Sequence, residues 1–451
     1  MAPAVETRSR PSVGDELELR IDSLAFGGAG VARHEGYVIF VEGGFPGDRV
    51  RARVHLRKRA YAQARLTELL EPGPDRVPAR ADHPGAPWQE LAYERQLEAK
   101  QAQVDDALRR IGHLDGFTLA PIVAATELWR YRNKLEYSFG AGESGELALG
   151  FHAPGSWERI VAFDDCLLAS EASNQARRSV LEWCREEGLQ PFDRRERTGF
   201  LRNLIVREGR RTGELQVRLV TAPGELDGDS LARAVPVASL LWTRTDAIAE
   251  TSQGGQTELI AGTPKIAEEI CGLRVAISPE AFFQTNTEMA ERLYALVGEA
   301  VELAGWERVF DLFCGTGTIG LSLAGHSGSI HGLEIAPDAV ADAIANARAN
   351  EITNTNFYAG DVRLALGELT GRAGRPDVLV VDPPRAGLSQ KVVRRIIECS
   401  PKRIVYVSCN PTTLAPNAAQ LAQAGWRLEH VTPLDMFPQT PHIECVALLR
   451  R

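Results

Sequence analysis

The sequence predicts an α/β protein. Its parts are a doubly wound sheet with an antiparallel last strand at 278–451, a middle α+β domain at 71–277 and an OB-type β-barrel at 11–70. Three observations predict it. From about residue 279, strand-length apolar runs alternate with helical periodicity, the pattern of a parallel sheet covered by helices. A glycine turn, Cys314-Gly315-Thr316-Gly317, joins the first of those runs to a helix start. Short alternating runs punctuated by glycine crowd into the first 70 residues.

Along the chain, residues 1–10 read as a disordered tail. Runs 17–21, 37–41 and 50–54 are strands, separated by Gly27-Gly28, Gly30, Gly43-Gly44 and Pro46-Gly47. Glu71-Pro72-Gly73-Pro74 is a linker. Tyr93 to Ile111 has the spacing of an amphipathic helix, with Leu97, Val104, Leu108 and Ile111 on one side. The middle domain mixes strand and helix runs. The last domain has strands at 308–313, 329–335, 355–359, 377–382 and 403–408, helices at 337–350 and 388–399, and closing strands near 427–434 and 443–449.

The 451 residues carry a net charge of −9, 44% apolar and 25% charged residues, ordinary values for a soluble globular protein. No apolar run is long enough to span a bilayer, and the N-terminus has no signal-peptide core. A cytoplasmic monomer without a membrane partner is expected. Seven scattered cysteines with no C-x-x-C pair argue against a disulfide framework or a compact zinc site. One stretch runs against the acidic balance. Arg49, Arg51, Arg53, Arg57, Lys58, Arg59 and Arg65 fall in 17 residues without an acid. That is a phosphate footprint beside Tyr61, or a solvated charge run. Arg132 belongs to a looser scatter of middle-domain arginines.

The glycine turn is a cofactor site. Gly315, Gly317 and Gly320 also satisfy G-x-G-x-x-G, so a nicotinamide oxidoreductase competes. Acids at the ends of successive strands shift the balance: Asp311, Glu334, Asp361 and Asp382. They suit a cationic sulfonium and suit a pyrophosphate poorly. Any one of them read alone is a helix N-cap.

Cys409 follows the strand run 403–408 and precedes Asn410-Pro411, on the edge where such sheets bind ligands. Glu444 opens the last apolar run. If that run is antiparallel, it starts at the same edge. A thiol, a carboxylate and a methyl donor are what methylation of uracil carbon 5 needs. A thiolate adds to carbon 6, carbon 5 becomes nucleophilic, and a base removes its proton. For Cys271, Cys314, Cys399 and Cys445, a small core residue is the expectation.

With these residues assembled, the chain resembles the RNA 5-methyluridine (uracil-C5) methyltransferases. The resemblance is carried by a TRAM-like barrel at 11–70, Arg132-Asn133-Lys134-Leu135-Glu136-Tyr137-Ser138-Phe139, and Ser278-Pro279-Glu280-Ala281-Phe282-Phe283-Gln284-Thr285-Asn286. It continues through Asp311-Leu312-Phe313-Cys314-Gly315, Asp382-Pro383-Pro384-Arg385, Ser408-Cys409-Asn410-Pro411 and Thr440-Pro441-His442-Ile443-Glu444. It implies a Rossmann-like S-adenosylmethionine methyltransferase domain, with Cys409 as nucleophile and Glu444 as base. It also implies cofactor contacts at Gln284, Phe313, Gly315, Gly317, Thr318, Glu334, Asp361 and Asp382. Thr318 stands where some members carry Asn. RNA contacts are expected at Arg49, Arg51, Arg53, Arg57, Lys58, Arg59 and Arg132. The barrel favours 23S ribosomal RNA over transfer RNA as partner, since members restricted to bacterial transfer RNA generally lack it.

Many members hold a [4Fe–4S] cluster on four cysteines. Here Arg80 to Gln89 contains none, and Cys166 alone matches the fourth ligand. No iron–sulfur cluster and no other metal is expected, with Cys166 a core residue. The competing classes are a catalytically inactive RNA-binding protein, the nicotinamide oxidoreductase, and an amino-group methyltransferase. The last usually carries an aromatic where Arg385 stands.

Overall fold

The computed structural model describes residues 10–142, 144–156, 158–247 and 254–451. All of the expected N-terminal tail except Arg10 lies outside the described residues. The chain divides into two compact units. One comprises residues up to 82, 86–106 and 437–442; the other comprises 83–85, 107–436 and 443–451.

In the first unit, β1 (Glu16–Leu24), β2 (Gly30–His34), β3 (Tyr37–Glu42), β4 (Arg49–Arg57) and β5 (Tyr61–Glu71) close a barrel in the order β1-β2-β3-β5-β4. Alternation sets its inside. Val50, Ala52 and Val54 of β4 point inward onto Leu19, Ile21, Ile39 and Val41, while the arginines between them point out. Gly30 is required by close approach, since a Cβ there would sit 2.6 Å from the Gly44 carbonyl oxygen. The predicted helix at 93–111 is α-helical over Tyr93–Asp106. Its last turn, Ala107–Ile111, is wound as a π-helix and belongs to the second unit.

The second unit holds two large sheets. One has seven strands: β7 (Lys134–Ala141), β8 (Leu147–His152), β9 (Ile160–Ala162), β10 (Leu201–Glu208), β11 (Leu215–Thr221), β12 (Ser239–Arg244) and β13 (Gln256–Gly262). They lie in the order β13-β12-β11-β10-β7-β8-β9. A small pair, β14 (Ile266–Ile270) and β15 (Leu273–Ile277), follows.

The other sheet has eight strands. β16 (Arg308–Leu312), β17 (Ser329–Glu334), β18 (Thr355–Ala359), β19 (Val378–Val381) and β20 (Arg403–Ser408) are parallel. β22 (Glu444–Arg450) is antiparallel to both β20 and β21 (Arg427–Leu434). The order is β18-β17-β16-β19-β20-β22-β21-β6, where β6 is Thr118–Leu119. That edge strand was not anticipated, because two residues carry no periodicity of their own.

The central parallel strand β19 is buried on both faces; Val378, Leu379, Val380 and Val381 are all fully buried. Helices Thr287–Val301, Pro337–Ala349, Val362–Ala373, Gln390–Cys399 and Pro411–Gln423 accompany the parallel strands. The order reverses between β16 and β19, so a crevice opens there at the carboxyl ends.

Candidate active site

The carboxyl edge of the eight-stranded sheet gathers the chemistry. The turn after β16 is tight: Phe313 and Gly315 have φ of 61° and 52°, and Gly317 has φ of 80°. The Phe313 N–H donates to the Leu333 carbonyl at 2.9 Å, fixing the turn against β17. A Cβ on Gly317 would lie 2.8 Å from Phe357, so only glycine fits. A Cβ on Gly315 would meet nothing within 4 Å, so the space above that turn is open to a ligand.

Around the turn stand the acids. Asp311 is fully buried. Its Oδ2 accepts the Gly320 N–H at 2.9 Å, while its Oδ1 has no hydrogen-bond partner among the described residues. Burial, with help from Asp382 and Glu334, pushes its carboxyl up to about 7. Glu334 ends β17 and accepts the N–H groups of Gly315 at 3.2 Å and Ala336 at 2.9 Å. Asp382, just past β19, is also pushed up to about 7 by burial.

Asp361 caps helix Val362–Ala373 by accepting the Arg363 N–H at 2.8 Å. It also binds that guanidinium, Nε to Oδ2 at 2.8 Å, which holds its carboxyl below the usual range. The N-cap reading of Asp361 is therefore realised, and an adenine amino group would share an oxygen already engaged. Thr318 is buried at the start of helix Thr318–Leu323, its hydroxyl 3.0 Å from the Tyr294 hydroxyl. Tyr294 carried no sequence signal.

Gln284 lies in the loop before helix Thr287–Val301. Asn133 pins that loop: its N–H donates to the Thr285 carbonyl at 2.8 Å, and its Nδ2 donates to the Gln284 carbonyl and to Thr287 Oγ1, each at 2.9 Å. Asn286 caps the helix and donates to the Met436 carbonyl at 2.9 Å. Asn133 was legible only as part of a motif; its positioning role needs the tertiary contact.

Cys409 and Glu444 meet through strand register. Ser408 of β20 pairs with Cys445 of β22, so the residue after β20 and the first residue of β22 share one edge. Glu444 is buried, and burial followed by the Asp382 charge raises its carboxyl well above the usual range. The Cys409 thiol is half-buried and pushed up to about 11. Burial is the main cause, Glu444 and Asp382 add to it, and Arg385 opposes them. Three potential anions thus converge in a poorly solvated place.

Backbone contacts hold the neighbouring loop. Asn410 caps helix Pro411–Gln423 and its Nδ2 donates to the Arg385 carbonyl at 3.2 Å. Asn417 brackets Leu388 with bonds of 2.8 and 3.0 Å. Gly387, at φ of 73°, lies where a Cβ would be 2.8 Å from Thr413.

The expected RNA-contact residues divide. On β4, Arg49 pairs with Glu71 at 2.9 Å, Arg51 with Glu18 at 3.1 Å and with Glu68, and Arg53 with Glu16 at 2.5 Å. The stretch has no acid in sequence, but neighbouring strands supply them. Arg57, Lys58 and Arg59 are exposed at the β4–β5 hairpin tip, where Tyr61 packs edge-on to Phe40 at 5.4 Å. Arg132 is half-buried and hydrogen-bonds the Tyr131 phenol.

Of the cysteines expected in the core, Cys314, Cys399 and Cys445 are buried, but Cys271 is exposed, because it falls in the turn between β14 and β15. Cys166 is buried, and its sulfur is 3.3 Å from His83 Nε2. His83 stacks on Phe163 at 4.9 Å, an arrangement the sequence did not suggest. Among the described residues, no three His, Cys, Asp or Glu side chains converge to hold a metal. Nor is any helix long and apolar enough to cross a membrane.

Comparison with known proteins adds the context. Residues 265–451 match the family model described as tRNA (Uracil-5-)-methyltransferase, and residues 10–67 match the TRAM domain. An uncharacterized RNA methyltransferase of Halalkalibacterium halodurans is 37% identical over 96% of this chain and 97% of its own. One from Thermosynechococcus vestitus is 38% identical over 97% and 98%. The crystal structure of Pyrococcus abyssi tRNA (uracil-54, C5)-methyltransferase with S-adenosyl-L-homocysteine superimposes with a TM-score of 0.78. It is 28% identical and covers 96% of this chain and 100% of its own.

Proposed function

Because the chain belongs to the TRAM-domain RNA (uracil-C5) methyltransferases, enzymes that use S-adenosylmethionine, we propose that Cys409 and Glu444 carry the reaction and that the uridine lies in transfer RNA. The observation that carries the residue roles is the β20–β22 register, which brings a thiol and a buried carboxylate to one sheet edge.

S-adenosylmethionine, when bound, supplies an electrophilic methyl group. The residues that would hold it are Gln284, Phe313, Gly315, Gly317, Thr318, Glu334, Asp361 and Asp382. The fit is supported by the open space over Gly315 and by the unpartnered Oδ1 of buried Asp311. A cation is the counter-charge this acid-lined edge lacks, and a pyrophosphate would be repelled there.

The chain's own work is as follows. Cys409, as thiolate, adds to carbon 6 of the uracil and makes carbon 5 nucleophilic. After the methyl group has joined carbon 5, Glu444 removes the carbon 5 proton. The carbon 6–sulfur bond then breaks and returns the thiolate. Burial, which raises the carboxyl of Glu444, makes its ionised form a stronger base than an exposed carboxylate. A base inside folded RNA reaches Cys409 only by leaving its stack.

Transfer RNA is favoured because the superimposable structure, which covers the barrel region too, acts on transfer RNA. The barrel is therefore no argument against that substrate. Ribosomal RNA is the second reading, supported by the barrel's presence in members acting on it. The exposed cations Arg57, Lys58 and Arg59 support a phosphate contact at the hairpin tip. The β4 arginines would have to exchange glutamate for phosphate. The test is methyl transfer from tritiated cofactor to transfer and ribosomal RNA, followed by mapping of the product. Label confined to 23S RNA would refute the substrate. Normal turnover by Cys409→Ala would refute the mechanism.

A further inference from the structure

Helix Thr287–Val301 brings a phenol to the cofactor turn. Tyr294 stands about two turns past the helix start. It is 4% exposed, and its hydroxyl lies 3.0 Å from that of Thr318, which is 8% exposed. Among the described residues neither hydroxyl has a second hydrogen-bond partner.

One bond between two hydroxyls can run either way, and one proton is left over in each case. Burial raises the Tyr294 phenol, and the charges of Asp382 and Asp311 add to this, so the phenol keeps its proton. Were Thr318 the donor, the phenol proton would be left in an enclosed place without an acceptor, which costs stability. With Tyr294 as donor, the proton left over is that of Thr318. Thr318 follows Gly317 directly, in the turn where the space over Gly315 is open to a partner. The second arrangement is therefore the favoured one.

What surrounds that spare donor gives it a use. Asp311, Glu334, Asp361 and Asp382 suit the sulfonium and the ammonium of S-adenosylmethionine. The same molecule carries a carboxylate, which those acids repel. It needs a donor not already engaged by them, and the unpartnered Oδ1 of Asp311 shows that the acid does not take the Thr318 proton.

We propose that Tyr294 is a positioning residue of the cofactor site: it donates to Thr318 Oγ1 and so turns the Thr318 hydroxyl onto the carboxylate of the cofactor's amino-acid part. The proposal rests on the reading of Thr318 as a cofactor contact. Chained hydroxyls polarise one another, so the phenol also strengthens the outgoing bond. The loop before the same helix carries Gln284, so one rigid element sets both groups.

The experiment measures binding to the full chain by calorimetry, without RNA. The ligands are S-adenosylmethionine and its decarboxylated form, which keeps both cations and lacks the carboxylate. Thr318→Val should bind S-adenosylmethionine about tenfold more weakly than the wild type, and the decarboxylated ligand within about twofold. Tyr294→Phe keeps the ring and removes the donor; the same selective loss should be about three- to tenfold. The double variant should lose no more than Thr318→Val alone. Thr318→Ser keeps a hydroxyl and should keep the wild-type preference. A packing defect would weaken both ligands alike, so equal losses in Tyr294→Phe would overturn the proposal, as would losses that add in the double variant. Wild-type binding by Tyr294→Phe beside a selective loss in Thr318→Val would remove the role of Tyr294 and leave Thr318 as a cofactor contact. Thr318→Val indistinguishable from the wild type would refute that contact, and this proposal with it.

Discussion

Replacing Asp311 with asparagine should make the protein more stable above neutral pH and a poorer binder of S-adenosylmethionine. Asp311 is wholly buried, and its carboxyl moves from an ordinary 3.8 to about 7. An acid whose folded value is raised holds its proton in the folded chain while the unfolded chain has already lost it. Stability therefore falls as pH rises from 3.8 to about 7, and the full cost persists above that. About three units at roughly 1.4 kcal/mol each give about 4 kcal/mol as the upper bound.

Asparagine keeps an oxygen for the Gly320 N–H and places an amide where the unpartnered Oδ1 was. The variant should match the wild type at pH 4 and exceed it by up to about 4 kcal/mol at pH 8. Chemical denaturation at the two pH values measures this. Calorimetry should show the opposite for the cofactor: weaker binding, and loss of the proton released when the wild type binds it below pH 7. A variant less stable than wild type at pH 8, or one binding cofactor as tightly, would refute the electrostatic account of this edge.

Glu444→Gln preserves the buried shape and removes the proposed base. Turnover should fall about 10²- to 10⁴-fold, with a covalent RNA adduct accumulating on denaturing gels; undiminished turnover would rule out its role. Asn133→Ala leaves the Gln284 carbonyl and the Thr287 hydroxyl without their donor. A loss of about 1–3 kcal/mol in unfolding free energy is expected, together with a raised KM for the cofactor; an unchanged KM would show that the loop does not need this clamp. Anaerobically purified protein should contain no stoichiometric iron; roughly four irons per chain with a broad brown absorbance would contradict that.

Sequence made the eight-stranded sheet largely legible because its signals are local. Buried strands read as continuous apolar runs, and glycine turns and caps mark their ends. Helix 388–399 was placed within two residues, its start fixed by the Ser389 cap, and 337–350 within one. The Phe313–Gly317 turn and the strand-end position of Cys409 were visible for the same reason. What escaped was non-local. The acids that pair with Arg49, Arg51 and Arg53 lie 17 to 37 residues away, on β1 and β5. His83 meets Cys166 across 83 residues, and Asn133 meets Gln284 across 151.

The sequence by itself determined which residues have the chemistry: a thiol after a strand, a carboxylate opening another, acids at strand ends, and a glycine turn. Tertiary structure alone decided what those groups became. The β20–β22 register set Glu444 beside Cys409, and burial raised the carboxyls of Asp311, Asp382 and Glu444. Strand pairing turned the cations Arg49, Arg51 and Arg53 into a ladder of ion pairs. The physical reason is that residue type and short-range periodicity are written along the chain. Register, desolvation and charge pairing exist only between segments that folding brings together.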